Sequence, residues 1–423
     1  MVVKGQLPDS VVEPPVAGDD RAGPVEPGPP PARTGRRAVW ITTAWILVTL
    51  VCAGGLMVNR YQDRARIEAS GDSYWYMRQS LEFTGKSEAD ATRISAQLIC
   101  DDMNRSARDR HQTPGCTSYD VSWVPQRYVK IFTSRPGYPL FAAPFVATLG
   151  AWNGMLTATV VLCLLAVVMA FLAVYLSTGY RPAGFVAGVA LIALPSGFWM
   201  TRMLTEGGLM AGYAAVILGA ILTWRGRYRL GLIITTVSLV WLFAVKSASG
   251  LVAAAVVVGA SLIALIGPRV QRRGPLLAGA LGVAAAVLWT AFSGLTHQPG
   301  LNDTIQDYAA HHFLKKDIPD PYGWLYRKNR AYWPDQIRAL LKAPRPLIEF
   351  FVASVLLIVK MRREAALFIL IGVVGVAMQI AHPYASQWDR MNFSQWLTVA
   401  AGAGLVVGWV ADRAWKLVRR RPA

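Results

Sequence analysis

Ionisable side chains occur in this sequence at places where a plain connector or an apolar helix would not need them. Gly71-Asp72-Ser73-Tyr74-Trp75-Tyr76-Met77-Arg78 sets a carboxylate against an aromatic cluster. Phe132-Thr133-Ser134-Arg135-Pro136-Gly137-Tyr138-Pro139-Leu140 puts a guanidinium ahead of two prolines that restrict the backbone. Glu206 lies in Thr205-Glu206-Gly207-Gly208, and Lys246 lies between Phe243-Ala244-Val245 and Ser247-Ala248-Ser249-Gly250. His382, Asp389 and Arg390 share one stretch, His382-Pro383-Tyr384 to Met391-Asn392. A carboxylate serves as a general base if it is ionised and within hydrogen-bond reach of the proton it takes. Arginine suits a planar anion such as phosphate or carboxylate, and a cation near membrane depth usually faces a polar cavity.

Each stretch also has an ordinary reading. Trp and Tyr collect at membrane interfaces, and Asp72 would serve as a solvated acid or as the cap of a helix over Tyr74–Leu81. Arg135 would pair with lipid phosphate or a loop acid, and Lys246 would snorkel to head groups. Other chemistries have no signal. There is no P-loop, dinucleotide-binding glycine pattern, CxxC pair or HExxH, and His311-His312 are adjacent rather than helix-spaced, so no metal ligand set is expected.

The elements that must position these residues are apolar helices. The 423 residues are 54% hydrophobic and 16% charged, and the charges gather between long apolar stretches. Leu251 to Ile266 has Ser261 as its only polar side chain, the all-round apolar pattern of a lipid-facing helix. The pattern predicts an all-α polytopic membrane protein with about ten spans. They fall at 39–58, 154–176, 183–200, 205–223, 230–247, 250–266, 275–293, 345–360, 365–381 and 393–411, the pair in 230–266 meeting in a very tight turn. Residues 1–37 read as a disordered Pro-rich tail, 38–411 as the transmembrane domain, and 412–423 as a basic tail.

The net charge of +18 brings no nucleic-acid-binding module with it; basic residues at helix ends set membrane orientation and meet anionic lipids instead. Arg33, Arg36, Arg37, Arg181, Arg225, Arg227, Arg229, Arg269, Arg272, Arg273, Lys360, Arg362, Arg363, Lys416 and Arg419–Arg421 fall on one side if every span crosses. That side is cytoplasmic, so both termini are expected inside the plasma membrane. The other side carries two large extracytoplasmic loops, about 59–153 and 294–344, and the turns near Arg202, Lys246 and Asp389. Cys52 and Cys163 lie in apolar helices as packing residues. Cys100 and Cys116 share the first outer loop, where a disulfide is permitted; two free thiols are the alternative.

This arrangement resembles the GT-C class of integral-membrane glycosyltransferases across most of residues 38–411. The likeness rests on an acid after the first span (Asp72, with Tyr74, Trp75 and Tyr76), the Arg135–Leu140 stretch entering span two, Thr205-Glu206 opening span four, and Lys246 ending the next span. The order and common sidedness of these short motifs carry it. The tail and the Ala/Gly/Arg-rich composition look like those of a high-GC actinobacterial protein. One departure matters: members of the class often place two acids together, whereas here Asp72 is followed by Ser73. Metal dependence is therefore left open and the chain reads as diverged; no other cofactor is implied.

The resemblance implies an enzyme that uses a polyprenyl-phosphate-linked sugar as donor and an envelope glycan, lipid or protein as acceptor, at the outer membrane face. Asp72 would be the general base. Arg135, Tyr138, Glu206, Lys246, His382 and Arg390 would bind substrate or the donor phosphate, and Tyr308, His311, Trp324, Tyr326, Tyr332 and Trp333 would offer stacking surface. Membrane lipids are the other expected partners, and oligomeric state is not readable. The competing readings are a transporter or flippase, and a non-catalytic envelope scaffold. A transporter predicts charged or broken helices near the bilayer midplane, with symmetry between halves.

Overall fold

A helix that is apolar on every side is stable against lipid or deep inside a bundle, and both fates occur in this chain. The computed structural model describes residues 35–63, 66, 68–69, 71–266 and 272–419. Most of the expected N-terminal tail, with Arg33, lies outside the described residues, as do Arg269, Arg420 and Arg421. The chain separates into two units, Met1–Ile41 and Thr42–Ala423. The described part of the first begins a helix, and everything below concerns the second.

All regular structure among the described residues is helical. After α1 (Arg36–Tyr61), the first polar stretch carries α2 (Gly71–Phe83), α3 (Glu88–Asp109), α4 (Gln126–Thr133) and α5 (Gly137–Leu149). Next come α6 (Ala151–Thr178), α7 (Arg181–Ala193), α8 (Ser196–Met200), α9 (Glu206–Trp224), α10 (Tyr228–Val245), α11 (Ser247–Ile266) and α12 (Arg273–Leu295). The second polar stretch carries α13 (Leu301–Ala309) and α14 (Pro321–Lys342). The rest is α15 (Arg345–Met361), α16 (Ala365–Gly372), α17 (Val374–Ala381), α18 (Trp388–Met391) and α19 (Gln395–Arg419). The two expected loops are thus largely helical. Their starts are set locally: Ser87 Oγ accepts from the Asp90 amide at 3.1 Å, and Asp320 Oδ1 from the Gly323 amide at 2.9 Å.

Among the described residues, seven helical stretches are long and apolar enough to cross a membrane, or eight if the bent pair Ala385–Met391 and Gln395–Ala411 counts as one span. One of the seven, Arg345–Ala381, doubles back. A Cβ placed on Gly372 would sit 2.5 Å from the Phe350 ring, whereas 22 residues of straight helix span about 33 Å. The reversal falls at Arg362–Glu364, a 3-10 turn entered with Arg362 at φ 50°. The span expected at 183–200 is not one helix but α7 and α8. Pro195 cannot donate to the helix and forces Leu194 to ψ 169°, so the helix stops there. Arg60 of α1 caps the broken end, donating to the carbonyls of Ile192, Ala193 and Leu194.

Helix α9 is the axis of the bundle, with 94% of its apolar window buried. Gly219 and Gly231 let α9 and α10 meet backbone to backbone: a Cβ on Gly219 would lie 2.9 Å from the Gly231 carbonyl oxygen. Helix α12 is the opposite case, only 11% buried, with Leu288 and Leu295 fully on the outside, as a lipid-facing helix requires. Helices α10 and α11 are separated by Lys246 alone, the tight turn expected. At the other end of the bundle, Arg225 after α9 pairs with Glu364 after α15 at 2.9 Å.

Cys100 and Cys116 form a disulfide, and Asn104 doubles the clasp by exchanging two hydrogen bonds with the Cys116 backbone. Cys52 is exposed on α1 and Cys163 is buried on α6, both unbridged. Closing a loop of this length is worth about 3 kcal/mol in chain entropy. Peptide mapping without reductant should recover the Cys100–Cys116 pair, and Cys100→Ser should speed proteolysis between α3 and α4. Two alkylatable thiols at these positions in protein from intact cells would contradict an outer placement of this region.

Candidate functional site

Two helix starts, one helix junction and one short helix bring the ionisable residues to one end of the bundle. Asp72 lies in the first turn of α2, and Glu206 opens α9. Lys246 is the lone residue between α10 and α11, and Arg390 stands on α18. Arg390 reaches both acids: one nitrogen donates to Asp72 Oδ2 at 2.6 Å and another to Glu206 Oε1 at 2.5 Å. Each contact is a charge-assisted hydrogen bond. The Arg390 side chain is 16% exposed and that of Glu206 only 4%, so water contributes little to their solvation.

The α18 turn is held in place for this contact. Gly375 of α17 runs against it so closely that a Cβ would fall 2.5 Å from Met391 O. Gln379, fully buried, donates to the Tyr384 carbonyl at 2.9 Å. On the opposite side, Gly137 at the head of α5 lies against the end of α10, with a Cβ position 2.8 Å from the Ala244 carbonyl carbon. That close approach sets Arg135, two residues earlier, beside the Lys246 junction.

The charges do not cancel. Lys246 and Arg135 each lack a carboxylate partner within ion-pair distance among the described residues, although Arg135 lies over the Phe132 ring at 5.9 Å. Two acids therefore face three cations, leaving an excess positive charge. Burial alone would raise the Asp72 pKa, but the Arg390 guanidinium, with Arg135 and Lys246 behind it, holds the carboxyl below its usual value. Asp72 is thus ionised and a weak base while Arg390 stays on it.

A small cavity of ≈ 10 Å³ lies beside these groups, lined by Glu206, Tyr213, Lys246, Ser249, Arg390 and Ser394 among others. Its volume is close to that of a single water. Two buried oxygens, Glu206 Oε2 and Ser394 Oγ, have no hydrogen-bond partner among the described residues. Unpaired buried acceptors and donors are rare in folded proteins and mark places where another molecule completes the bonding. Any molecule larger than water needs some of these lining groups to move before it can enter.

No family model matches the chain, and no curated protein matches it. The reading of the site rests on its own geometry.

Of the expected site residues, Glu206, Lys246 and Arg390 line the cavity, whereas Asp72, Arg135, Tyr138 and His382 do not. Tyr138 is fully buried, its ring edge-on to Tyr76 at 5.6 Å and its hydroxyl bonded to Thr159 at 2.7 Å. It anchors α5 to α6, with its hydroxyl engaged within the protein. His382 stacks on Tyr308 at 4.6 Å; burial and then Lys246 hold its pKa below the ordinary value, so it is neutral near pH 7. Tyr308 also packs on Trp324 and Tyr384, and Trp333 meets Trp388 at 6.2 Å, so part of the expected aromatic surface roofs the 382–390 stretch. Tyr326 and His311 stand away from it, exposed.

A second ionic cluster was not singled out from the sequence. Arg66 and Glu68 form a buried pair at 3.4 Å, and Arg66 donates to Thr201 Oγ1 at 2.9 Å. Asp102 of α3, 3% exposed, accepts from the Glu68 and Ala69 amides, both at 3.1 Å, while the Met203 amide donates to Glu68 O at 3.1 Å. Burial pushes the Glu68 carboxyl up to about 7. These bonds tie the residues before Asp72 to those before Glu206 and so fix the gap that Arg390 spans. Charges in a polar stretch read as solvated; only long-range folding shows them buried.

Removing Arg390 would leave Glu206 buried and unpaired. Arg390→Ala should therefore lower stability by about 3–5 kcal/mol, the cost of breaking a buried pair from one side. Adding Glu206→Gln should recover part of that loss. Thermal unfolding of the single and double variants in nanodiscs reads both; equal midpoints for wild type and Arg390→Ala would show that the bridge carries no stability.

Proposed function

We propose that this chain is a membrane glycosyltransferase of the GT-C kind. It moves a sugar from a polyprenyl-phosphate donor to an envelope glycan, lipid or protein acceptor at the outer face of the plasma membrane. The observation that carries the reading is the single arginine held between Asp72 and Glu206, with Lys246 and Arg135 unpaired beside it. An excess cation at a confined site, next to a carboxylate, suits a reaction whose leaving group is a phosphate. A transporter would hold such groups near the bilayer midplane; here they gather at one end of the bundle.

On this reading about ten spans cross, with α7–α8 and α16–α17 as broken spans and both termini cytoplasmic. The Arg225–Glu364 pair then belongs to the inner face, opposite the site.

The reaction begins when the donor phosphate, a bidentate acceptor, takes over the Arg390 fork and meets Lys246. Release from Arg390 makes Asp72 a stronger base. The acceptor hydroxyl attacks the anomeric carbon, its proton passes to the Asp72 carboxylate, and the bond from that carbon to the phosphate oxygen breaks. The negative charge left on the lipid phosphate rests on Arg390, Lys246 and Arg135. Glu206 Oε2 and Ser394 Oγ orient sugar hydroxyls. A divalent metal does not fit the donor set: no group of three His, Cys, Asp or Glu converges among the described residues, and the two acids are already joined through a guanidinium. No step is routed through one.

Transfer from radiolabelled polyprenyl-phosphate sugars in membranes tests the reading. Asp72→Asn should lower kcat by about 10²–10⁴, without raising the donor KM, because the phosphate no longer competes with Asp72 for Arg390. Equal turnover by wild type and variant would remove Asp72 from the base role.

The pH profile gives a second test. In the free protein the Asp72 pKa lies below its ordinary value, so the acid limb of kcat/KM should lie below the ordinary aspartate range. In the donor complex Arg390 is shared with phosphate, the pKa rises, and the acid limb of kcat should lie at higher pH. The donor phosphodiester itself does not titrate in this range. A kcat limb at or below that of kcat/KM would contradict the handover of Arg390.

A further inference from the structure

A second cleft, of ≈ 300 Å³, lies between α3 and the start of α6 and is lined by Leu98, Asp101, Asp102, Arg105, Arg108 and Trp152. Its volume is at the lower end of ligand-sized clefts, about 300–1,000 Å³. The five α3 residues recur at three- and four-residue intervals, one stripe of a helix, and Trp152 in the first turn of α6 closes the other side.

The wall and the working groups of the cleft are different residues. Asp102 is buried and holds the Glu68 and Ala69 amides, and Arg105 is engaged by Asp102 and by the Arg66 carbonyl at 3.1 Å. Asp101 and Arg108, both exposed, make no side-chain hydrogen bond or ion pair among the described residues. Two acids and two arginines balance, so the cleft favours neither a polyanion nor a polycation. A purely apolar chain would leave Asp101 and Arg108 without partners. A neutral saccharide matches all of it: the C–H face of a pyranose packs on an indole, while its hydroxyls donate to a carboxylate and accept from a guanidinium.

The cleft is also close to the site. Asp102 Oδ2 is 3.1 Å from the Ala69 amide, and Ala69 to Asp72 is three residues, at most about 11 Å of chain. A short oligosaccharide covers that distance.

We infer that the α3–Trp152 cleft binds the glycan acceptor, a neutral oligosaccharide whose end reaches Asp72. This rests on the transferase reading for its purpose but not for its test. The full chain in phospholipid nanodiscs, free of sugar-headed detergent, is titrated with neutral hexasaccharides (maltohexaose, mannohexaose) and with the anionic hexamer of galacturonic acid. Binding is read by saturation-transfer NMR. The expected result is that a neutral hexasaccharide binds and the anionic one does not. Trp152→Ala and Asp101→Asn should each weaken binding about tenfold, and Trp152→Phe should keep it within about threefold. Failure of both neutral sugars to bind, preference for the anionic one, or undiminished binding by Trp152→Ala and Asp101→Asn would overturn the proposal. Because no donor lipid is present, a failed transfer assay with intact binding rejects the transferase reading alone, and the reverse result rejects the cleft alone.

Discussion

Arg390 is held by two carboxylates that the chain brings from 318 and 184 residues away, in a setting where the Arg390 and Glu206 side chains are nearly dry. A guanidinium buried among acids is stable only when its fork is filled, and the acids are stable only when it stays. Much of the surrounding architecture serves that constraint. The Arg66–Glu68–Asp102 cluster fixes the segments that lead to the two acids, Gly375 and Gln379 press the α18 turn toward them, and Gly137 sets the Arg135 loop against the Lys246 junction.

The same constraint explains how a site this closed can have a substrate. A cavity of ≈ 10 Å³ admits no sugar, yet the fork that closes it is the group best suited to a phosphate. On the proposed function, a donor phosphate that fills the Arg390 fork would open the site and free Asp72 in one movement. The roof above the turn is built from Tyr308 of α13, Trp324 of α14 and His382 after α17.

Part of this was legible in the sequence because long apolar helices depend on local composition. The helical character, the tight turn at Lys246 and the shared position of Asp72, Glu206, Lys246 and Arg390 all follow from where charges interrupt apolar runs. The break at Pro195 was missed because hydropathy averages over a proline. Tyr138 stood in a motif that suggested contact with substrate, and its partner Thr159 lies on another helix, invisible to spacing. Arg66, Glu68 and Asp102 escaped notice because burial of a charged loop is a tertiary event with no periodic signal.

The most direct test is a cryo-EM structure of the full chain in nanodiscs with a polyprenyl phosphate bound. The account predicts that Arg390 leaves Asp72 and contacts the phosphate oxygens together with Lys246. A phosphate bound elsewhere, with Arg390 still bridging Asp72 and Glu206, would contradict it.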